Sequence, residues 1–152
     1  TLDRSSAASD VYKRQMRSRA EQLMDDVSLD RSFLDRYPHE MSGGQRQRVC
    51  LARALASDPE VLILDESTAS LDVSVQANVL DLLAELQREK GLTYLFIAHD
   101  LAVVEQISDT VAVMQNGRVV ESGPAVDILH NPETDYTRML LDAIPPETPS
   151  RA

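Results

Sequence analysis

Residues 42–66 read SGGQRQRVCLARALASDPEVLILDE, and the order of parts in this stretch decides the fold. Ser42 is a good N-cap, because its side-chain oxygen can accept one of the orphan N–H groups at a helix start. The helix it opens is basic and must stop before Asp58-Pro59. Val61-Leu62-Ile63-Leu64 then runs apolar without alternation, the pattern of a strand covered on both faces by helices. Asp65 and Glu66 stand at the carboxyl end of that strand, where open α/β sheets place their ligands.

Working outward, Val75, Val79, Leu82, Leu83 and Leu86 recur at helical spacing after Asp72 until Gly91, a natural C-terminal stop. A second β-rich run follows from Leu92 to Ala98 and ends at His99. A short helix over Asp100 to Ser108 leads to a third strand, Thr110 to Gln115. Asn116-Gly117 predicts a two-residue hairpin into Arg118–Glu121, since both residues must accept positive φ. Short helical patterns over Ala125 to Leu129 and Tyr136 to Ile144 close the chain. Strand, helix, strand, helix, strand predicts an α/β layer structure with a right-handed parallel crossover.

Upstream, Met16, Ala20, Leu23, Met24 and Val27 share one helical face, and a short helical piece spans Leu29 to Glu40. Residues 1–15, TLDRSSAASDVYKRQ, carry neither helical nor strand period, so an unstructured leader is expected there. They resemble translated linker sequence and are set aside from fold reasoning.

With 152 residues and 43% hydrophobic content the chain is large enough for one domain, or a piece of a larger one. Fifteen basic against 25 acidic residues give a net charge of −10, which opposes binding to a nucleic-acid backbone. The single cysteine, Cys50, cannot form an internal disulfide and reads as a small core residue of its helix. No apolar run approaches the roughly 20 residues that span a bilayer.

Three groups of residues carry chemistry. Asp65 can hold Mg²⁺ directly or through water. Glu66, turned to the other side by strand alternation, can accept a proton from an attacking water. The pair also suits an ordinary loop start. His99 ends the next strand, and a parallel arrangement would bring it to the edge of the sheet that carries Glu66, although a capping histidine would look the same. Ser42-Gly43-Gly44 lets an anion approach a helix start, where N–H groups and the helix dipole favour negative charge, and equally suits a plain Gly-rich helix entry. His39 and His130 receive no role. A phosphate-binding loop G-x-x-x-x-G-K-[ST] is missing from these residues: none of the five glycines precedes a lysine.

The string MSGGQRQRVCLARAL, followed by VLILDE, then LD and IAHD, resembles the second half of an ABC-transporter ATPase domain, from about Met16 to Ile144. The resemblance implies a partial P-loop NTPase (RecA-like) parallel sheet flanked by helices. It further implies a leader over 1–15, the end of a helical subdomain over 16–41, an ATPase core over 42–123 and a C-terminal tail over 124–152. It makes Ser42, Gly43, Gly44 and Gln45 the signature motif, with Met41 where leucine is usual. Asp65 would act on Mg²⁺ through water, Glu66 would be the catalytic base and His99 the switch histidine. Ser70, Leu71 and Asp72 would be the D-loop, although STASLD departs from the usual PTSALD: Ser67 replaces proline, and Ala69 and Ser70 are exchanged.

Tyr37-Pro38-His39-Glu40, Asp72 to Gln76, and Tyr136 to Leu141 with Ala143-Ile144-Pro145 are similar to the oligopeptide, dipeptide and nickel importer branch. That branch implies ATP as substrate, a second ABC ATPase domain, membrane-spanning permease subunits and an external solute-binding protein. It also implies a peripheral place on the cytoplasmic face of the inner membrane. Since such domains pair head to tail, the signature would face the partner's ATP. A non-catalytic signature module acting on a partner ATPase, and a soluble ABC ATPase unconnected with transport, are the alternatives.

Overall fold

The computed structural model describes residues 3–68 and 71–143, with side chains described from residue 10. It divides into two compact units, Thr1–Leu95 and Phe96–Ala152.

In the first unit, α1 spans Asp3–Asp26, so the segment expected to be unstructured is helical. The physical reason is that no glycine or proline occurs before Pro38, and Ala, Lys, Arg and Gln hold a helix in solvent without an apolar stripe. The last turns of α1 are anchored by Leu23 and Met24, which are buried together with Val27 just beyond the helix. Two 3₁₀ turns, Arg31–Asp35 and Pro38–Glu40, stand where one short helix was expected, because Pro38 disfavours helix at Tyr37. Helix α2, Gly43–Leu55, buries Gly44, Leu51, Ala52 and Leu55 along one stripe. Cys50 lies off that stripe and is exposed, which corrects its reading as a core residue. Arg48 donates from α2 to the Val27 carbonyl at 3.0 Å, tying α2 to the end of α1.

Strand β1, Val61–Asp65, leads to α3, Val73–Lys90, and then to β2, Thr93–Ile97; β1 and β2 pair in a parallel sheet. Helix α3 begins at its N-cap Asp72 and ends at Gly91, whose φ of 65° is the left-handed conformation that glycine adopts without strain. Its inner face, Val79, Leu80, Leu82, Leu83 and Leu86, supplies much of the core, each large side chain worth about 1.5–3 kcal/mol of burial. Tyr94 donates its hydroxyl to the Leu83 carbonyl at 2.8 Å, and burial pushes its pKa up to about 12. Lys90 Nζ lies 2.8 Å from Asp26 Oδ2, joining the ends of α3 and α1.

Strand β1 is not covered on both faces as its composition predicts. Leu62 and Leu64 are buried, whereas Val61 and Ile63 are 56% and 68% exposed. The run lacks polar residues on the open side, so an apolar face is left in solvent.

In the second unit, α4 (Leu101–Ile107) is followed by β3 (Thr110–Gln115), β4 (Arg118–Pro124), α5 (Ala125–His130) and α6 (Asp135–Asp142). Strand β3 pairs antiparallel with β4, the hairpin that Asn116-Gly117 predicts. Asn116 (φ 49°) and Gly117 (φ 76°) make the tight turn that demands this pairing. Val111, Val113, Ala125 and Ile128 form the buried centre of this unit, with Val104, Tyr136 and Leu140 packed around it.

Candidate functional site

The turn that opens α2 is built by its own side chains. Ser42 N–H donates to Gln45 Oε1 at 2.9 Å, and Gln45 N–H donates to Ser42 Oγ at 3.3 Å. This reciprocal capping box holds the first turn rigid. It uses a lone pair of the Ser42 oxygen and not its O–H, since a hydroxyl has two acceptor sites and one donor.

The same turn packs on the entry to α3. A Cβ added at Gly43 would meet Leu71 Cδ2 at 3.4 Å, and one added at Gly44 would meet Val75 Cγ1 at 2.4 Å. Asp72 fixes that entry: its carboxylate accepts from Val75 N–H at 3.0 Å and from Ser74 Oγ at 3.1 Å. These donors, the Val75 amide first, hold the Asp72 carboxyl below the usual carboxylate range. Leu71 N–H donates to the carbonyl of Thr68, a buried residue whose hydroxyl lies 3.5 Å from Gln76 Nε2. Ser70, the remaining D-loop expectation, lies outside the described residues.

Asp65 is the last residue of β1 and is exposed. Glu66 follows at φ 45°, a left-handed conformation uncommon for a residue with a Cβ. The expected alternation therefore does not direct Glu66: the strand ends one residue earlier, and a backbone turn presents both carboxylates to solvent. Residues held in such conformations cluster at functional sites. Ser67 Oγ, next in the chain, is buried and has no hydrogen-bond partner. In the second unit, His99 is exposed, two residues past the end of β2 and one before Asp100, the N-cap of α4.

The donor set suits a phosphate-bound Mg²⁺. Among the described residues no group of three or more His, Cys, Asp and Glu side chains gathers into a cage. One exposed carboxylate completed by waters and phosphate oxygens is coordination that Mg²⁺ accepts.

The family model described as ABC transporter matches residues 2–69, which include the turn, β1 and both carboxylates. The chain is 55% identical over 129 residues to the glutathione import ATP-binding protein GsiA of Pectobacterium atrosepticum, covering 85% of this chain and 21% of that protein. It is 54% identical over 133 residues to the oligopeptide transport ATP-binding protein OppF of Bacillus subtilis, covering 88% and 44%. The chain is similar, over most of its own length, to ATP-binding proteins of ABC transporters. Among solved structures, the ATP-binding cassette MJ0796, in a dimeric post-hydrolysis state bound to ADP and Pi, superposes with a TM-score of 0.63 at 30% identity, over 74% of this chain and 48% of that one. The chain thus spans less than half the length of each of these ABC proteins.

In this chain, several residues that hold the site carried no signal in the residue pattern. Thr68 and Val75 read as ordinary loop and helix positions, and glutamate has no type preference for the conformation Glu66 adopts. Glu40 was legible in hindsight: its Oε2 accepts Tyr37 N–H at 2.8 Å, and Tyr37 stacks on His39 with ring centroids 5.7 Å apart just ahead of the turn that opens α2.

Proposed function

We propose that this chain is the C-terminal part of an ATP-hydrolysing subunit that powers uptake of peptides or a similar small solute across a membrane. The carrying observation is the exposed carboxylate pair at the end of β1, with Glu66 held at φ 45°. The names of the two relatives, a glutathione importer and an oligopeptide transporter, support the solute class. Residues 16–41 end a helical subdomain, 42–123 belong to the ATPase core, and 124–152 form the importer-type tail. The loop that cradles the β and γ phosphates is supplied by sequence upstream of these residues. Because positioning and electrostatics make up most of phosphoryl-transfer catalysis, the 152 residues by themselves do not turn over ATP.

Each site residue then has a task. Glu66 takes the proton from the attacking water. Asp65 orients the water shell of the metal, and Mg²⁺ when bound offsets the charge on the phosphates. His99 donates a hydrogen bond to the terminal phosphate. Ser42 offers its O–H, and Gly43, Gly44 and Gln45 offer the helix start, to ATP held by a second ABC ATPase domain, each such bond being worth about 1.5–3 kcal/mol. Leu71 and Asp72, with Ser70, line the contact between the two domains. The described residues contain no helix long and apolar enough to cross a membrane. Permease subunits do so, with this subunit at their cytoplasmic face and an external binding protein delivering solute.

The test is Glu66→Gln in the complete polypeptide. It is expected to lower ATP turnover by about 10²–10⁴ while nucleotide binding stays intact. Turnover near that of the unaltered protein would overturn the assignment.

A further inference from the structure

The second glycine of the signature turn is buried, and its missing side chain faces protein. A methyl group at Gly44 would lie 2.4 Å from Val75 Cγ1, a distance no pair of carbon atoms tolerates, whereas at Gly43 the nearest atom, Leu71 Cδ2, stands at a tight but tolerable 3.4 Å. Leu71 and Val75 are four residues apart, on either side of the Asp72 cap. Neither α2 nor α3 can give way cheaply there. Val75 is β-branched and stiff at χ1, its N–H is held by Asp72 at 3.0 Å, and the α2 turn is locked by the Ser42–Gln45 box. The usual reason for glycine at a helix start, close approach of an anion, does not account for a Cβ position filled by valine.

We propose that Gly44 is a glycine because of Val75, and that Val75 is a positioning residue that sets the signature turn against the segment following the Asp65 and Glu66 carboxylates. The contact would keep the Ser42 hydroxyl and the first helical N–H groups in register with the D-loop, so that both address the partner domain as one rigid surface. This rests on the proposed ATPase function, and the packing claim also has a readout that does not.

The experiment is a double-mutant cycle in the complete polypeptide, with Gly44→Ala, Val75→Ala and the pair, followed by thermal melting and by ATP turnover. Gly44→Ala is expected to lower the melting temperature and to cut turnover by about tenfold or more. Adding Val75→Ala should restore melting, and bring turnover to within about threefold of Val75→Ala alone. If Gly44 serves the phosphate only, the pair stays as inactive as Gly44→Ala, and that result overturns the proposal even where melting recovers. No turnover in the unaltered protein would instead refute the ATPase reading, and melting alone then decides: coupling supports the contact and additivity overturns it. Should Gly44→Ala fail to fold, Val75→Ala alone removes the carbon that faces Gly44. A rise in KM for ATP with folding intact supports the proposal, and unchanged kinetics overturn it.

Discussion

Glu121 on β4 grips the start of α6 through Thr134, whose hydroxyl lies 2.7 Å and whose N–H lies 3.2 Å from Glu121 Oε2, while Glu133 N–H donates to Oε1 at 2.7 Å. The carboxylate thereby satisfies donors just ahead of the helix, and Thr134 caps it by accepting from Thr137 N–H at 3.2 Å. Hydroxyl and amide donors, the Thr137 hydroxyl foremost and then the Glu133 amide, hold the Glu121 carboxyl down at about 2.

That depression sets an acid sensitivity with a definite sign. A carboxyl lowered on folding stabilises the folded state fully above its ordinary value of 4.5, and that support is lost as pH falls from there through about 2. Glu121→Gln is therefore expected to lower the melting temperature at about pH 6 and to match the unaltered chain only as pH falls below about 2. Circular dichroism melts across that range check it. A deficit that stays constant with pH would show that the grip does not depend on charge.

How much of this was legible in residue order differs by element, for physical reasons. Helix α3 was readable to the residue because Asp72 and Gly91 are the types that its two ends require. The Asn116-Gly117 hairpin was readable because few residue pairs accept two positive φ angles. The onset of α1 was not, since a helix in solvent needs no apolar period. The motif residues of the site were visible as types and spacings, but their packing was not: nothing in a lone valine marks it as the neighbour of Gly44.

The apolar run of β1 predicts a strand covered on both sides, and Val61 and Ile63 are instead open to solvent. Leu95 in β2 is 54% exposed as well. Such a composition suits a strand with cover on both faces, and the relatives, about twice as long as this chain or longer, have further residues that could supply it. The 152-residue chain alone is expected to self-associate, and Ile63→Lys should reduce that association, seen by light scattering. In the complete polypeptide the same change is expected to cost several kcal/mol, because a buried unpaired ammonium is strongly penalised. Equal tolerance in both would mean that the face stays open in the whole protein.

Ser42 has two separable duties, capping α2 and, on the proposed function, donating its O–H to the partner's ATP. Substitution by alanine and by glycine tells them apart. Alanine at an N-cap costs about 1 kcal/mol, whereas glycine costs only a few tenths, since it adopts the cap backbone and leaves the N–H groups open to water. Ser42→Gly in the complete polypeptide is therefore expected to melt close to the unaltered protein, and Ser42→Ala several degrees lower. Both variants lose the hydroxyl, so both should lose turnover to a similar degree, about ten- to a hundredfold for one bond to a charged phosphate. If turnover instead tracks the melting temperature, with glycine nearly as active as serine, the hydroxyl serves the helix alone, and the phosphate contact must come from the backbone N–H groups that the cap orients.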